Sequence, residues 1–224
     1  MLDTLKLDEV VEFAENPEPR CPCVLLLDTS GSMQGEAINA LNQGLQSFRN
    51  ELIDNSLASR RVEVAIITFD SHVNVVQDFV TADQFHPPML TAQGLTTMGA
   101  GIHKALDLIQ ERKAQYRSNG VAYYRPWIFM ITDGEPQGEF DDVVTQASKR
   151  LQQDEASKRV AFFTVGVENA NMNLLSQIAV RTPLHLKGLN FVEMFMWLSA
   201  SMAAVSHSKV DEQVALPPIG WGNV

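Results

Sequence analysis

The chain of 224 residues holds only two cysteines, Cys21 and Cys23, in the stretch RCPCVLLL. A secreted disulfide scaffold carries more of them, more widely spaced. In an extended segment positions i and i+2 share a face, but their Cα atoms lie near the limit for an unstrained bridge. No other cysteine exists to complete a thiolate zinc set. Two reduced thiols at the start of a buried strand are expected, and with them a cytoplasmic location. Basic charge is scarce as well: 17 Lys and Arg stand against 27 Asp and Glu, for a net charge of -10. That argues against non-specific nucleic-acid binding, in which Lys and Arg must neutralise phosphates. No stretch approaches the ~18 uninterrupted apolar residues of a membrane span. The first residues, MLDTLKLDEVVEFAENPEPR, are acidic and lack a basic region followed by an apolar block, so no secretory signal is expected there.

What the sequence does have is a core. Its hydrophobic content is 45%, that of an ordinary globular protein, and its length suits one domain better than two. Cys23–Leu27 reads as a strand buried on both faces. Ile38, Leu41, Leu45, Phe48 and Leu52 then recur at helical spacing. A strand over Arg61–Asp70 turns at Ser71-His72 directly into Val73–Val80, too short a link for a crossover, so these two are expected to pair antiparallel at an edge. After a Pro-containing loop come a helix with Ile102, Ala105, Leu106 and Ile109, and the strand segment PWIFMITDGEP (Pro126–Pro136). A helix around Phe140–Gln153, a strand over Arg159–Val167, a short helix near Leu174–Val180 and a short strand at Leu184–Leu186 follow. A last helix carries Phe191, Met194, Phe195, Leu198, Met202 and Val205 on one stripe. Strands alternating with helices predict an α/β fold: a doubly wound, mostly parallel sheet with one antiparallel edge strand and helices on both faces. The divisions expected are an N-terminal segment over 1–20, packed through Leu2, Leu5, Leu7, Val10 and Phe13, a domain over 21–206, and a tail over 207–224 without periodicity.

In such sheets ligands bind beyond the carboxyl ends of the strands, at the switch point. Asp28 and Asp133 are the first polar residues after two of the strands and should project from one edge. With no cation nearby, two such carboxylates repel and one has its pKa raised. Ser30 and Ser32 supply hydroxyls on the turn that leaves the first strand, and Thr96 and Thr97 supply more before a helix. Carboxylate and hydroxyl oxygens suit Mg²⁺ or Mn²⁺ rather than zinc. Each residue has a plainer reading: Ser32 or Thr97 as a helix cap, though neither completes a capping box, and Asp133 as an Asp-Gly turn residue. The joint pattern favours the metal.

The segments DTSGSM (Asp28–Met33), GLTTMG (Gly94–Gly99) and TDGEP (Thr132–Pro136), in this order, resemble the metal-ion-dependent adhesion site of the von Willebrand factor A domain. The resemblance runs from about Cys21 to Ser206. In CPCVLLLDTSGSM, TFDS and ITDGEP the chain is most similar to stand-alone bacterial A domains of the TerY tellurium-resistance type. The resemblance implies that Ser30, Ser32 and a threonine bind Mg²⁺ or Mn²⁺ directly, with Asp28 and Asp133 doing so directly or through water. The family's threonine follows two glycines; here Leu95 takes the second place, which makes Thr96 the matched position and Thr97 its rival. It also implies metal-gated protein binding, not turnover. The partner would present Asp or Glu, for example a kinase or phosphatase of the same bacterial stress-response system.

The competing class is a metal-dependent hydrolase of phosphatase type. Those with a nucleophilic aspartate use Asp-x-Asp, where this chain has Ser30 in the second place. Neither a Gly-x-Ser-x-Gly elbow nor a Gly-Lys-Ser/Thr phosphate loop occurs, and the five histidines show no paired ligand spacing. An A domain that binds through a metal-independent surface is the other alternative.

Overall fold

A computed structural model describes residues 12–223. In chain order its elements are β1 (Cys21–Asp28), α1 (Glu36–Asp54), α2 (Ala58–Arg61), β2 (Val62–Phe69), β3 (Val73–Thr81), α3 (Met98–Ser118), β4 (Trp127–Thr132), α4 (Asp141–Ala156), β5 (Ala161–Gly166), α5 (Met172–Ile178), β6 (Leu184–Leu186), α6 (Phe191–His207) and β7 (Gly222–Asn223). Between β1 and α1 lies a single 3₁₀ turn, Gly31–Met33. The seven strands form one sheet in the order β3-β2-β1-β4-β5-β6-β7.

β1 is buried along its whole length, and its side chains divide by parity, as a period of two requires. Cys21, Cys23, Leu25 and Leu27 enter one core, with Ile38, Leu41, Leu45, Phe48 and Leu52 of α1 and Phe191, Met194, Phe195, Leu198 and Met202 of α6. Val24 and Leu26 enter the other, with Ile102, Leu106 and Ile109 of α3, Ala147 and Leu151 of α4, and Leu175 of α5. The helices thus cover both faces. Burial raises the thiols of Cys21 and Cys23 far above their ordinary range, so both are inert side chains of the core.

The four inner pairings are parallel, and the chain winds outward from β1 in both directions. The switch point therefore lies between β1 and β4. β3 pairs antiparallel with β2 at one edge, with Asn74, Val76 and Asp78 outside. The sheet has two antiparallel edges, one more than the sequence predicts. β7 pairs antiparallel with β6, a strand of two residues, too short for any periodicity to reveal. Trp221, 2% exposed, anchors it, with ring centroids 5.7 Å from Trp197 and 6.5 Å from Phe129. Gly222 and Asn223, near the end of the stretch expected as a tail, thus join the sheet.

At the amino ends of the strands the fully buried carboxylate of Glu63 on β2 gathers several donors. Arg20 Nε donates at 2.8 Å, Arg112 Nε at 2.9 Å and Arg112 Nη2 at 3.0 Å, and the Tyr116 hydroxyl donates as well. Phe13 packs edge-on against Tyr116, centroids 5.8 Å apart, and the guanidinium of Arg112 lies 4.9 Å from its ring. Phe13 is buried in this contact; Leu2, Leu5, Leu7 and Val10, the other residues expected to pack the N-terminal segment, lie outside the described residues. No helix among the described residues is long and apolar enough to cross a membrane.

Glu63→Ala leaves two buried guanidiniums without their carboxylate and should destabilise the fold by about 3–5 kcal/mol. A urea midpoint equal to that of the wild type would refute this.

Candidate metal centre

β1 and β4 run parallel with Leu27 opposite Ile131, which brings Asp28, at the end of β1, to the carboxyl end of β4. Asp28 is fully buried. Its Oδ1 accepts the backbone N–H of Ser30 at 2.8 Å, and its Oδ2 accepts the hydroxyl of Thr132 at 2.6 Å. The Ser30 and Ser32 hydroxyl oxygens are 3.0 Å apart, and the Ser32 hydroxyl donates to Asp133 Oδ1 at 2.8 Å. A continuous row of oxygens thus joins the turn after β1 to the turn after β4.

The third segment comes from the loop before α3. Gly31 N donates to the Gly94 carbonyl at 3.0 Å, and Gln93 N donates to the Thr29 carbonyl at 2.8 Å. Gly94 has φ +74, and a Cβ there would lie 2.4 Å from Ser71 Oγ, so glycine is what lets the loop lie against the β2–β3 turn while bonding to Gly31. Thr96 then exchanges two backbone hydrogen bonds with Gln137, at 3.1 and 2.9 Å, tying this loop to the one that follows Asp133.

The environment of Gly134 shows where these segments meet. A Cβ there would sit 3.6 Å from Thr96 Oγ1, 3.9 Å from Ser32 Oγ and 4.0 Å from Asp28 Oδ2. Oxygens of the end of β1 and the turn after it, and of the loop before α3, converge on that point, which the turn after β4 supplies. The two threonines differ in what they face. Thr96 is 3% exposed and its hydroxyl belongs to this convergence, whereas the Thr97 hydroxyl donates at 2.9 Å to the carbonyl of Asp70. Leu95, 46% exposed, turns its side chain over Gly138.

The helix-cap readings fail at both hydroxyls. Thr97 occupies the N-cap position of α3 but makes no side-chain capping bond, and Ser32 lies inside the 3₁₀ turn. Glu139 caps α3 instead: its carboxylate accepts from Gly99 N at 2.7 Å and from Ala100 N at 3.1 Å. The sequence reading misses Glu139, Gln137 and Thr132. Thr132 alone left a trace, as the one hydroxyl in the apolar run WIFMIT.

Burial raises the Asp28 carboxyl from its ordinary 3.8 to about 6; bonds from Ser30 and Thr132 oppose the shift and the charge of Asp133 adds to it. Burial also raises Asp133, against the bond from Ser32. Two carboxylates and three hydroxyls, with no cationic side chain among them, form an oxygen set suited to a hard divalent ion. Among the described residues no group of three or more His, Cys, Asp or Glu forms a metal set of the nitrogen, sulfur or multi-carboxylate kind.

A doubly wound sheet with this oxygen cluster at its switch point defines the class. The family described as von Willebrand factor type A domain matches residues 23–192, and the chain belongs to it. Domains of this family are generally non-enzymatic modules that commonly mediate protein interactions. No curated protein matches the chain by sequence. Among solved structures it is similar to a von Willebrand factor type A protein from Catenulispora acidiphila, with TM-score 0.61 and 16% identity over 83% of this chain and 43% of that one. It is also similar to the pilus adhesin SpaC of Lactobacillus rhamnosus GG, with TM-score 0.64 and 13% identity over 84% of this chain and 30% of that one. The domain from the type V pili tip protein Mfa5 of Porphyromonas gingivalis gives TM-score 0.63 and 11% identity, over 88% of this chain and 99% of that one. The chain spans less than half of the first two, and at these identities the likeness is one of fold.

The raised pKa of Asp28 has a thermodynamic sign. The folded protein keeps a proton that the unfolded chain releases between 3.8 and about 6, so stability present below that window is lost as pH rises through it. In EDTA, the urea midpoint of the wild type should therefore fall relative to that of Asp28→Asn between about pH 4 and about pH 7. Parallel profiles for the two proteins would contradict it.

Proposed function

We propose that this chain is a metal-dependent protein-binding module, in which Asp28, Ser30, Ser32, Thr96 and Asp133 hold Mg²⁺ or Mn²⁺ and a partner's Asp or Glu carboxylate completes the site. The observation that carries the reading is the convergence of Thr96, Ser32 and Asp28 oxygens within 4.0 Å of one point at the β1–β4 switch. A bound Mg²⁺ or Mn²⁺ supplies a positive centre that accepts a carboxylate oxygen from outside.

The chain's own residues prepare that role. Asp28 is held by two neutral donors, Ser30 N–H and Thr132 hydroxyl, so its negative charge is not cancelled by a neighbouring cation. Ser32 links Ser30 to Asp133, which keeps the hydroxyls and the second carboxylate within reach of one another. The Thr96–Gln137 backbone pair and the Glu139 cap fix the remaining loop against them. Because three of the five oxygen donors are neutral, a bound cation keeps charge with which to attract an anionic partner. The chain's net charge of -10 opposes an acidic partner only at long range, since screening limits that repulsion to about 8 Å at physiological salt.

The segments CPCVLLLDTSGSM, TFDS and ITDGEP support a finer placement among TerY-type proteins of bacterial tellurium resistance or stress response, acting in the cytoplasm. In that setting the partner is a protein, such as a kinase or phosphatase of the same system.

Calorimetric titration of the metal-stripped protein with Mn²⁺ tests the site. One saturable event is expected, weakened at least about tenfold in Ser32→Ala and Thr96→Val and retained in Thr97→Val. A folded wild type that takes up no Mn²⁺ would sink the metal reading, and equal loss in the two threonine variants would sink the choice of Thr96. With Mn²⁺ bound, a short glutamate-containing peptide should lower the water-proton relaxivity and its glutamine counterpart should not. The same relaxivity with both peptides would refute carboxylate capture.

A further inference from the structure

At the end of the molecule opposite the oxygen cluster, the C-terminal half of α3 borders a shallow basin of about 340 Å³, lined by Gln110, Lys113, Arg117 and Arg159. Lys113 and Arg117 are four apart on one helix face, where like charges repel. Arg159 arrives from the segment that leads into β5.

The partners that hold these side chains are mostly uncharged. Lys113 Nζ donates to the Arg159 carbonyl at 3.3 Å and lies 5.8 Å from the Tyr123 ring, while Arg117 Nη1 donates to the Tyr123 hydroxyl at 3.3 Å. Among the described residues neither Lys113 nor Arg117 forms an ion pair. Among the described residues the one carboxylate bonded to the group is Asp154, 3.1 Å from Arg159 Nη1. Three cations against one carboxylate leave a surplus of two positive charges, in a chain whose net charge is -10. The strain on Lys113 agrees: burial and then the charge of Arg117 push its ammonium below its ordinary range, Asp154 offsetting in part and Arg159 adding. Arg117 stands in the last turn of α3 and Arg159 just beyond the C-terminus of α4, so favourable interaction with helix ends accounts for each cation singly, but not for their gathering with Lys113 in one basin.

We propose that this basin binds a phosphoryl group, either as inorganic phosphate or as a phosphorylated side chain of another protein. The surplus of two charges matches the about −1.5 to −2 of a phosphoryl group near neutral pH, where a carboxylate would cancel only half of it. Two guanidiniums, an ammonium and the Gln110 amide offer a fan of N–H donors to three oxygens, and guanidinium geometry favours bidentate bonds to phosphate. The site is remote from Asp28 and Asp133, so it is independent of the metal reading and leaves that face free for a second partner.

The test is a titration of the full chain with inorganic phosphate in a chloride buffer with EDTA, followed by amide shifts in two-dimensional NMR. Saturable shifts are expected around Lys113, Arg117 and Arg159, with affinity lowered about tenfold or more in Lys113→Gln/Arg117→Gln and in Arg159→Gln, and unchanged in Ser32→Ala. A short phosphoserine peptide, compared with its serine counterpart, distinguishes the sources. Tighter binding of the phosphopeptide than of phosphate assigns the basin to a protein-borne group, and the reverse order assigns it to the free anion. Linear, unsaturating shifts, or affinity retained in both folded variants, would overturn the proposal.

Discussion

The parallel register between β1 and β4 is the constraint on which the rest of the site depends. With Leu27 opposite Ile131, the last residue of one strand meets the last residue of the other, and the Thr132 hydroxyl closes on Asp28 in the fully buried interior. A slip of one residue would exchange the faces of every β1 side chain. Asp28 would move to the opposite face, and Leu25 and Leu27 would leave the core they share with α1 and α6. The apolar cost of that exchange, spread over two cores, is what holds a buried carboxylate at the edge of the sheet.

The protein buries acids at both ends of its strands and treats them differently. Glu63 is saturated by cationic donors, Arg20 and Arg112, and needs nothing from outside. Asp28 receives only neutral donors, a backbone N–H and a hydroxyl, and burial drives its carboxyl toward the protonated form. The first arrangement cancels charge and ties Arg20 to β2 and α3. The second leaves a buried carboxylate with no cationic side chain to balance it.

Much of this was legible in the sequence, because the signals were local. Apolar runs marked the buried strands, and a period near 3.6 marked α1, α3 and α6. Asp28 and Asp133 were legible as the first polar residues beyond two apolar runs. What stayed hidden was fixed by contacts between distant residues. A helix start normally draws its cap from a neighbouring hydroxyl, and the sequence offered Thr97; the structure sends that hydroxyl to the Asp70 carbonyl and brings Glu139 from about forty residues away to do the capping. The choice between Thr96 and Thr97 likewise turns on a backbone pairing with Gln137 that spacing cannot announce. β7 escaped notice because two residues have no period, and its stability comes from the burial of Trp221 rather than from alternation.

That burial has a bearing on how the chain matures as it is made. Trp221 is the side chain that completes the aromatic wall with Phe129 and Trp197, and β7 is the strand that covers the exposed edge of β6. Both arrive after every other element described. Until residue 221 has left the ribosome, the nascent domain carries an unpaired strand edge beside uncovered aromatic rings, the combination that invites association with other chains. A folding intermediate in which β6 and α6 have formed and β7 has not therefore exposes that edge and those rings together, and the docking of β7 removes both at once.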